Sequence, residues 1–311
     1  MSVQVSGLSK IYGAQKAVNN ISFEAREGEI LGFLGPNGAG KTTTMKILTC
    51  FIPPSKGTAT VCGFDVQQAP MEVRRAIGYL PEHNPLYADM YVRESLEFIA
   101  RLHQLGKNTR NRIDEMIQLT GLEREQKKHI GQLSKGYRQR VGLAQAMIHN
   151  PRVLILDEPT SGLDPNQLAE IRNVIKTLGK EKTVILSTHI MQEVQALCNR
   201  VVILDRGQIV ANDLTENLQH RSQAKTTVVA EFTPNPQLAD LQLLPHVGRV
   251  EAWGNKWRLY PDSEYDLRPE IFRFAVQNNL TLLTLLQEES SLEDVFRQLT
   301  AGSHEQPQPV A

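Results

Sequence analysis

Short apolar runs alternate with longer helical patterns over the first 220 residues, as they do in α/β proteins. Four of the runs are almost continuously apolar, which predicts strands covered on both faces. Four others are more typical of peripheral antiparallel strands. The covered strands are predicted at Ile30–Leu34, Val153–Leu156, Val184–Ser187 and Val201–Leu204, and the peripheral strands at Val3–Leu8, Ile21–Arg26, Gly57–Val61 and Gln208–Ala211.

Helical periodicity replaces the strand pattern between about Pro85 and Asn150. Three helices are predicted there, at Ser95–Leu105, Arg110–Thr120 and Tyr137–His149. We therefore expect a helical subdomain, about residues 85–150, inserted into an α/β core that spans residues 1–220.

A second, smaller domain is predicted over residues 221–311. Its elements follow the order β-α-β-β-α-β, which indicates a small α+β domain of the ferredoxin-like type. The tail from about residue 303 is rich in Pro and Gln and is predicted to be disordered. The elements are predicted at Val228–Phe232, Pro236–Leu243, Val250–Trp253, Lys256–Tyr260, Leu267–Gln277 and Leu280–Leu286, with a turn at Gly254-Asn255 and a last helix at Leu292–Leu299.

Composition narrows the functional classes. Lys and Arg together number 34, as do Asp and Glu, so the formal net charge is zero. That balance removes the usual electrostatic argument for nucleic-acid binding. No apolar run approaches the roughly 20 residues that a membrane-spanning helix needs, and Met1–Lys10 lacks the apolar segment of a signal peptide. Cys50, Cys62 and Cys198 show no metal-site spacing and fit a reducing cytosol.

The segment Gly35–Thr42 (GPNGAGKT) fits the P-loop pattern of a glycine, four residues, and Gly-Lys-Ser/Thr. It lies between a predicted strand and helical Thr43–Leu48. Glycines let backbone N–H groups point at phosphate oxygens, and the helix N-terminus adds its dipole. The alternative, a purely structural glycine-rich turn, does not require this context. Lys41 is expected to reach the β/γ-phosphates and the Thr42 hydroxyl to bind Mg²⁺. The expected phosphate-site residues are Gly35, Pro36, Asn37, Gly38, Ala39, Gly40, Lys41, Thr42 and Thr43.

Two carboxylates end the apolar strand that starts after Arg152. Asp157 is expected to hold Mg²⁺ through water, and Glu158 to polarise an attacking water as a general base. Acidic residues that merely cap a strand are common, so this interpretation depends on the P-loop.

The segment Leu133–Arg140 (LSKGYRQR) resembles the signature of ABC proteins, usually written LSGGQ. Ser134 stands where a helix begins, as an N-cap does. Its hydroxyl and the free N–H groups behind it form a second anion site, to which Gly136 also belongs. A plain helix cap is the alternative. A second anion site in one chain makes sense if it serves the ATP of a partner chain.

Four more elements match the ABC family in order, so residues 1–220 resemble ABC ATP-binding subunits. Tyr12 stands where an aromatic residue stacks on adenine, and Gly78–Glu82 stands at the Q-loop position. Ser161–Asp164 matches the D-loop, and His189 stands where a switch histidine contacts the γ-phosphate. The resemblance implies a P-loop ATPase of ABC type that binds ATP and Mg²⁺.

The resemblance extends beyond the first domain. Ser290–Phe296 is similar to the closing segment of subunits that serve ABC-2-type exporters. Thr49–Pro54 and Gly78–Tyr87 most resemble the gliding-motility-associated ATP-binding subunits of the GldA type.

Two motifs depart from the family pattern. Glu82 replaces the glutamine of the Q-loop, and in the signature Lys135 replaces the first glycine and Tyr137 replaces the glutamine. Glu82 is expected to act as a Mg²⁺ ligand; its alternative is a solvent-facing loop residue. Lys135 either strengthens phosphate attraction or faces solvent, and we favour solvent.

The resemblance also implies partners. Two copies are expected to close head to tail around two Mg-ATP, each between Lys41 of one chain and Ser134 of the other. A separate membrane permease is expected to dock near Asn84–Tyr91, with this chain peripheral on the cytoplasmic face of the membrane and no nucleic acid bound. There are two rival hypotheses. The first is a soluble ABC ATPase of translation or DNA repair, but this chain has only one P-loop and no heptad array. The second is a P-loop kinase or GTPase, but those proteins lack the signature segment.

Overall fold

The computed structural model describes residues 1–218, 226–263 and 265–289. The chain divides into two compact units, Met1–Thr215 and Glu216–Ala311. Among the described residues, no helix has the length and apolar character needed to cross a membrane.

Strands and helices of the first unit follow the predicted alternation. The strands are β1 (Val3–Tyr12), β2 (Gln15–Ala25), β3 (Ile30–Leu34), β4 (Lys56–Val61), β5 (Phe64–Asp65), β6 (Ile77–Leu80), β7 (Val153–Asp157), β8 (Thr183–Thr188), β9 (Arg200–Asp205) and β10 (Gln208–Leu214). The helices are α1 (Lys41–Leu48), α2 (Pro70–Ala76), α3 (Val92–Leu102), α4 (Thr109–Leu119), α5 (Lys135–Met147), α6 (Pro165–Gly179) and α7 (Met191–Leu197).

The central sheet has the strand order β10-β9-β3-β8-β7-β6. Strands β9, β3, β8, β7 and β6 are parallel, and β10 pairs antiparallel with β9 at the edge. Every residue of β3, β7 and β8 is buried, as their continuous apolar runs predict. Because these strands are parallel, β3, β7 and β8 end at the same edge of the sheet, where the predicted chemistry lies.

A second, antiparallel sheet has the order β2-β1-β4-β5. It shares one apolar core with the central sheet, and the rings of Phe23 and Phe33 meet edge to face with centroids 4.7 Å apart. Strands β1 and β2 are longer than predicted. They run on to a tight hairpin in which Tyr12 pairs with Gln15, and Gly13 adopts a left-handed φ of +57°.

The structure contains one further strand, β6, which the sequence pattern does not predict. It is only four residues long and contains Gly78. A Cβ atom at Gly78 would lie 2.1 Å from the Ala146 carbonyl oxygen, so the glycine permits close packing against the C-terminal part of α5. Helices α3, α4 and α5 form the predicted helical insertion, displaced by one to three residues from their predicted starts.

The described part of the second unit has the predicted order of elements. Its sheet is antiparallel, with the order β12-β13-β11-β14, and its core includes Phe232, Leu259 and Ile271. The predicted helix Leu292–Leu299, the segment Ser290–Phe296, the tail from residue 303 and the boundary near residue 220 lie outside the described residues. The elements are β11 (Thr226–Thr233), α8 (Leu238–Gln242), β12 (Val247–Trp253), β13 (Lys256–Pro261), α9 (Arg268–Gln277) and β14 (Thr281–Glu289).

Candidate functional site

The predicted phosphate loop joins the end of β3 to the start of α1. Gly40 precedes the helix with a left-handed φ of +104°, and a Cβ atom there would lie 2.5 Å from the Ala17 carbonyl oxygen. A Cβ atom at Gly35 would lie 2.4 Å from the Leu204 carbonyl oxygen. Glycine is therefore needed at both positions, because the loop packs directly on neighbouring backbone. The loop leads into α1, whose first backbone N–H groups have no partner within the helix.

Lys41, the first residue of α1, is buried with 6% of its surface exposed. Its ammonium donates hydrogen bonds to the carbonyl oxygens of Gly35 at 2.7 Å and Pro36 at 3.3 Å, and lies 3.7 Å from Glu158 Oε1. Burial lowers the pKa of Lys41, and the Glu158 and Asp157 carboxylates oppose that shift. The cation is thus held at the loop with donors suited to anionic oxygens.

Asp157 ends β7 and is fully buried. Its Oδ1 accepts hydrogen bonds from the hydroxyls of Ser187 and, at 3.4 Å, Thr42. Its Oδ2 is buried and has no hydrogen-bond partner among the described residues. A buried carboxylate oxygen without a partner is costly, and a hard cation that takes oxygen ligands would satisfy it. The residues present therefore fit Mg²⁺ beside Asp157 and the Thr42 hydroxyl.

Glu158 follows with a left-handed φ of +50°, which is unusual for a residue with a side chain. Its N–H donates to the Ser187 carbonyl oxygen at 3.2 Å and to the Ser187 hydroxyl at 3.1 Å. Its Oε2 lies 2.9 Å from His189 Nδ1. Burial raises the pKa of the Glu158 carboxyl, although the hydrogen bond from His189 opposes that shift. A carboxyl with a raised pKa and a fixed histidine partner suits proton transfer.

One cleft of about 570 Å³ brings most of the predicted site together. Glu82 lies in it as an exposed side chain, and Tyr12 lines it with 48% of its surface exposed. Gln15, Ala17 and Ser161 also line it and were absent from the sequence prediction, although Gln15 and Ala17 follow Tyr12 in the β1–β2 hairpin and Ser161 stands in the predicted D-loop. The predicted residues that line the cleft are Tyr12, Asn37, Gly38, Ala39, Gly40, Lys41, Thr42, Thr43, Glu82, Glu158 and His189.

The predicted second anion site is separate, since Ser134, Gly136 and Asp164 do not line this cleft. Ser134 is exposed and caps α5, its Oγ accepting from Tyr137 N at 3.4 Å. Asp164 caps α6, accepting from the backbone N–H groups of the two residues after Pro165 at 3.0 and 2.9 Å. A Cβ atom at Gly136 would lie 2.2 Å from Gln167 Oε1, so the first turns of α5 and α6 pack closely.

Solved structures with this fold define the class of protein. An ATP-binding subunit of an ABC transporter aligns with a TM-score of 0.66 and 29% identity, over 71% of this chain and 93% of its own. A dimeric ATP-binding cassette in a post-hydrolysis state, bound to ADP and Pi, aligns with a TM-score of 0.64 and 26% identity, over 68% and 98%. The first unit is therefore an ABC-type P-loop ATPase fold, which confirms the fold class predicted for this unit.

Sequence relatives identify the family. The family described as ABC transporter matches residues 18–161. The bacitracin transport ATP-binding protein BcrA of Bacillus licheniformis is 34% identical over 96% of this chain and 97% of its own length. The Nod factor export ATP-binding protein I of Burkholderia thailandensis is 33% identical over 94% and 95%. The chain belongs to the ATP-binding subunits of ABC transporters, and it is an ATPase of that family.

Proposed function

We propose that the chain powers a transporter of the ABC-2 exporter type by hydrolysing Mg-ATP between two copies of itself. The observation that carries the proposal is that Lys41, Glu158 and His189 line one cleft, while Asp157, next to Glu158 in the chain, keeps a buried oxygen without a hydrogen-bond partner among the described residues. The cleft residues come from different segments of the chain, yet all serve one phosphate chemistry.

The roles of the residues follow from their chemistry. Lys41 and the loop N–H groups bind the β/γ-phosphates, and Tyr12 offers a half-exposed ring for the base. Thr42 and Glu82 would offer oxygen ligands to Mg²⁺ and Asp157 would hold it through water, and the bound cation would neutralise charge on the phosphates. Glu158 takes the proton of the attacking water, and His189 orients Glu158 through the 2.9 Å contact and reaches the γ-phosphate.

Ser134, Gly136 and Asp164 act on the nucleotide of the partner copy. Their position outside the cleft supports this proposal, as do the helix-capping N-terminus at exposed Ser134 and the dimeric state of the aligned cassette. ATP then favours the closed dimer by differential affinity, and loss of the γ-phosphate lets it open.

Export is proposed as the direction of transport. The relative named for Nod factor export is 33% identical and covers nearly the whole chain, second unit included. The resemblance of Ser290–Phe296 supports the ABC-2 group. A gliding-motility-associated role of the GldA type rests on Thr49–Pro54 and Gly78–Tyr87 alone.

A permease is proposed to dock in a second cleft of the first unit, named here the docking groove. It measures about 660 Å³, lies among α1, α2, β6, α3 and α5, and includes Asn84 and Pro85 from the predicted docking segment. Glu82 lines the nucleotide cleft and the next residue, His83, lines the docking groove, so the two clefts are linked through adjacent residues.

The lining of the docking groove indicates what the permease segment carries. Phe51 lines it with 74% of its surface exposed, and His103 and His149 stack there with ring centroids 3.8 Å apart. Burial lowers the pKa of both histidines, that of His149 to about 4, so the stack is neutral near pH 7. Its charged lining residues, Lys46 and Arg74, are both cations. We propose an apolar helix bearing at least one carboxylate, on the cytoplasmic face of the membrane.

Two experiments test these proposals. Purified chain should hydrolyse ATP, and Lys41→Ala should nearly abolish turnover, because it removes charge-assisted hydrogen bonds worth about 1.5–3 kcal/mol each. Near-normal turnover in the variant would contradict the P-loop assignment.

For docking, tagged chain should capture one multi-span membrane protein from detergent extracts. Arg74→Glu should lose it and exposed Arg124→Glu should keep it. Exchanging a carboxylate of the partner's cytoplasmic helix for lysine should restore capture by Arg74→Glu. Capture that is indifferent to Arg74 would place docking elsewhere, and capture of soluble ribosomal or repair components alone would favour a soluble ABC factor.

A further inference from the structure

One buried carboxylate, four residues after His189 in the chain, takes no part in the proposed chemistry. Glu193 stands in the first turn of α7, four residues after His189, with 0% of its surface exposed. The proposed function assigns roles to Glu158 and His189 but none to Glu193.

Both carboxylate oxygens of Glu193 accept hydrogen bonds from hydroxyls. Thr160 donates to Oε1, and Thr188 donates to Oε2 at 2.7 Å. Thr160 and Thr188 are themselves 2% and 0% exposed. Thr160 stands two residues after Glu158, and Thr188 immediately precedes His189. One side chain therefore ties together the two segments that carry the catalytic pair.

The segments around Glu158 and His189 both have backbone conformations that the contacts of Glu193 help to hold. The turn after Glu158 closes through Ser161 N, which donates to the Glu158 carbonyl oxygen at 3.2 Å, and Glu158 itself is held at a left-handed φ of +50°. Such a conformation persists only where surrounding contacts determine it. On the other segment, the Thr188 hydroxyl also accepts from Ile190 N at 3.0 Å, which fixes the backbone on both sides of His189.

Stability alone does not account for a carboxylate at this place. Within the described residues no Lys, Arg or His lies within salt-bridge distance of Glu193, so its two oxygens are satisfied by hydroxyls rather than by a cation. A buried carboxyl group without a cation is costly, and an apolar side chain of similar size would fill the space more cheaply. The geometry is better explained by a need for two acceptors in fixed positions.

We infer that Glu193 is a positioning residue for ATP hydrolysis. It holds Thr160 and Thr188, and thereby keeps the Glu158 carboxylate and the His189 ring at their 2.9 Å contact. This inference rests on the proposed role of Glu158 as general base. It concerns the chemical step and not nucleotide binding, because neither Glu193 nor its two partners line the nucleotide cleft.

The test compares variants of the full chain by steady-state ATPase kinetics. Glu193→Ala should lower kcat about 10- to 100-fold, the range expected when a catalytic group moves by about 1 Å, while KM for ATP stays within about twofold. Glu193→Gln should recover only part of the rate, since an amide fills the same space but keeps one of the two acceptors. Thr120→Val is the control: it removes a buried hydroxyl bond of 2.7 Å to Met116 O in the helical insertion.

If Glu193→Ala fails to fold, Thr188→Val is tested in its place, and it should lower kcat at unchanged KM. A wild-type kcat in Glu193→Ala or Thr188→Val would overturn the inference. So would a loss in Glu193→Ala that Thr120→Val reproduces at equal thermal stability. Glu158→Gln, measured in parallel, separates the two hypotheses: if it hydrolyses ATP normally, the general-base role itself fails, whereas if it is inactive and Glu193→Ala is normal, only the positioning role fails.

Discussion

Replacing Glu158 by glutamine should separate ATP binding from hydrolysis. The amide keeps the shape of the side chain and its contact with His189, but it cannot take a proton from water. General-base assistance typically contributes about 10²–10⁴-fold to the rate. The expected loss in kcat therefore corresponds to about 3–5 kcal/mol of transition-state stabilisation, at about 1.4 kcal/mol for each factor of ten.

The same substitution should tighten ATP binding, because Glu158 competes with phosphate for Lys41. The carboxylate lies 3.7 Å from the Lys41 ammonium, and both side chains are buried. At an effective dielectric constant of about 20, two unit charges at this separation interact by roughly 4 kcal/mol. Desolvation offsets most of that attraction, so we expect about a tenfold gain in ATP affinity, or about 1.4 kcal/mol.

The pH dependence provides a further check with a definite sign. A general base works only when ionised, so the rate is present above the pKa of Glu158 and is lost as the pH falls through it. Burial raises that pKa. The acid limb of the wild-type kcat profile should therefore lie above the pKa of an ordinary glutamate, and the residual rate of Glu158→Gln should lack this limb.

The assays are single-turnover hydrolysis with Mg-ATP, calorimetric ATP binding, and gel filtration for an ATP-dependent shift from monomer to dimer. Glu97→Gln, at a partly exposed position whose carboxylate pairs with Arg101 on the surface, is the matched control and should change none of them. Turnover of Glu158→Gln within tenfold of wild type would mean that another group is the base. Weaker ATP binding by the variant would refute the competition between Glu158 and phosphate.

Three further predictions concern other parts of the chain. Glu82→Gln should raise the Mg²⁺ concentration at half-maximal ATPase rate while leaving kcat largely intact. If that Mg²⁺ concentration is unchanged in both Glu82→Gln and Glu82→Ala, Glu82 faces solvent and is not a metal ligand. Arg200→Met should destabilise the protein by about 1.5–3 kcal/mol in urea unfolding at pH 7, because it removes the ion pair and hydrogen bonds of largely buried Glu29, whereas exposed Arg152→Met should cost under about 1 kcal/mol. Burial alone would raise the pKa of Glu29, but hydrogen bonds from Arg200 hold that pKa below its ordinary value. The ion pair therefore stabilises the fold fully above the ordinary pKa of glutamate, and this stabilisation is lost as the pH falls through the depressed pKa. Arg200→Met should lack this acid sensitivity. A shortened chain of residues 1–218 should bind ATP with wild-type affinity in calorimetry, since every residue that lines the nucleotide cleft lies within it; a folded but non-binding product would contradict the division into domains.

Features that depend on neighbouring residues in the chain follow from the sequence. The buried strands are predictable because covered strands require continuous apolar runs, and β3 matches its predicted bounds residue for residue. The phosphate loop is predictable because its glycines and Lys41 must follow one another at fixed spacing between a strand and a helix. Ser134 is predictable as a helix cap for the same local reason.

Features that depend on residues distant in the chain needed the tertiary structure. Strand β6 is too short to predict from its pattern, and it forms because β7 pairs with it and α5 packs against Gly78. The hydroxyl of Thr42 meets Asp157 across 115 positions of sequence. No local pattern encodes such a contact, because it arises only where parallel strands end side by side at one edge of the sheet.

The role inferred for Glu193 shows the same limit most clearly. In the sequence it is the one acidic residue of the short segment Met191–Leu197, and an exposed position is the ordinary expectation for a glutamate. The fold buries it and brings Thr160, 33 positions away, to one of its oxygens. The sequence alone therefore singled out the groups that are proposed to carry the chemistry, since each belongs to a motif of fixed spacing. Tertiary packing decided how those groups are held, because the restraining contacts join segments that only the folded sheet brings together.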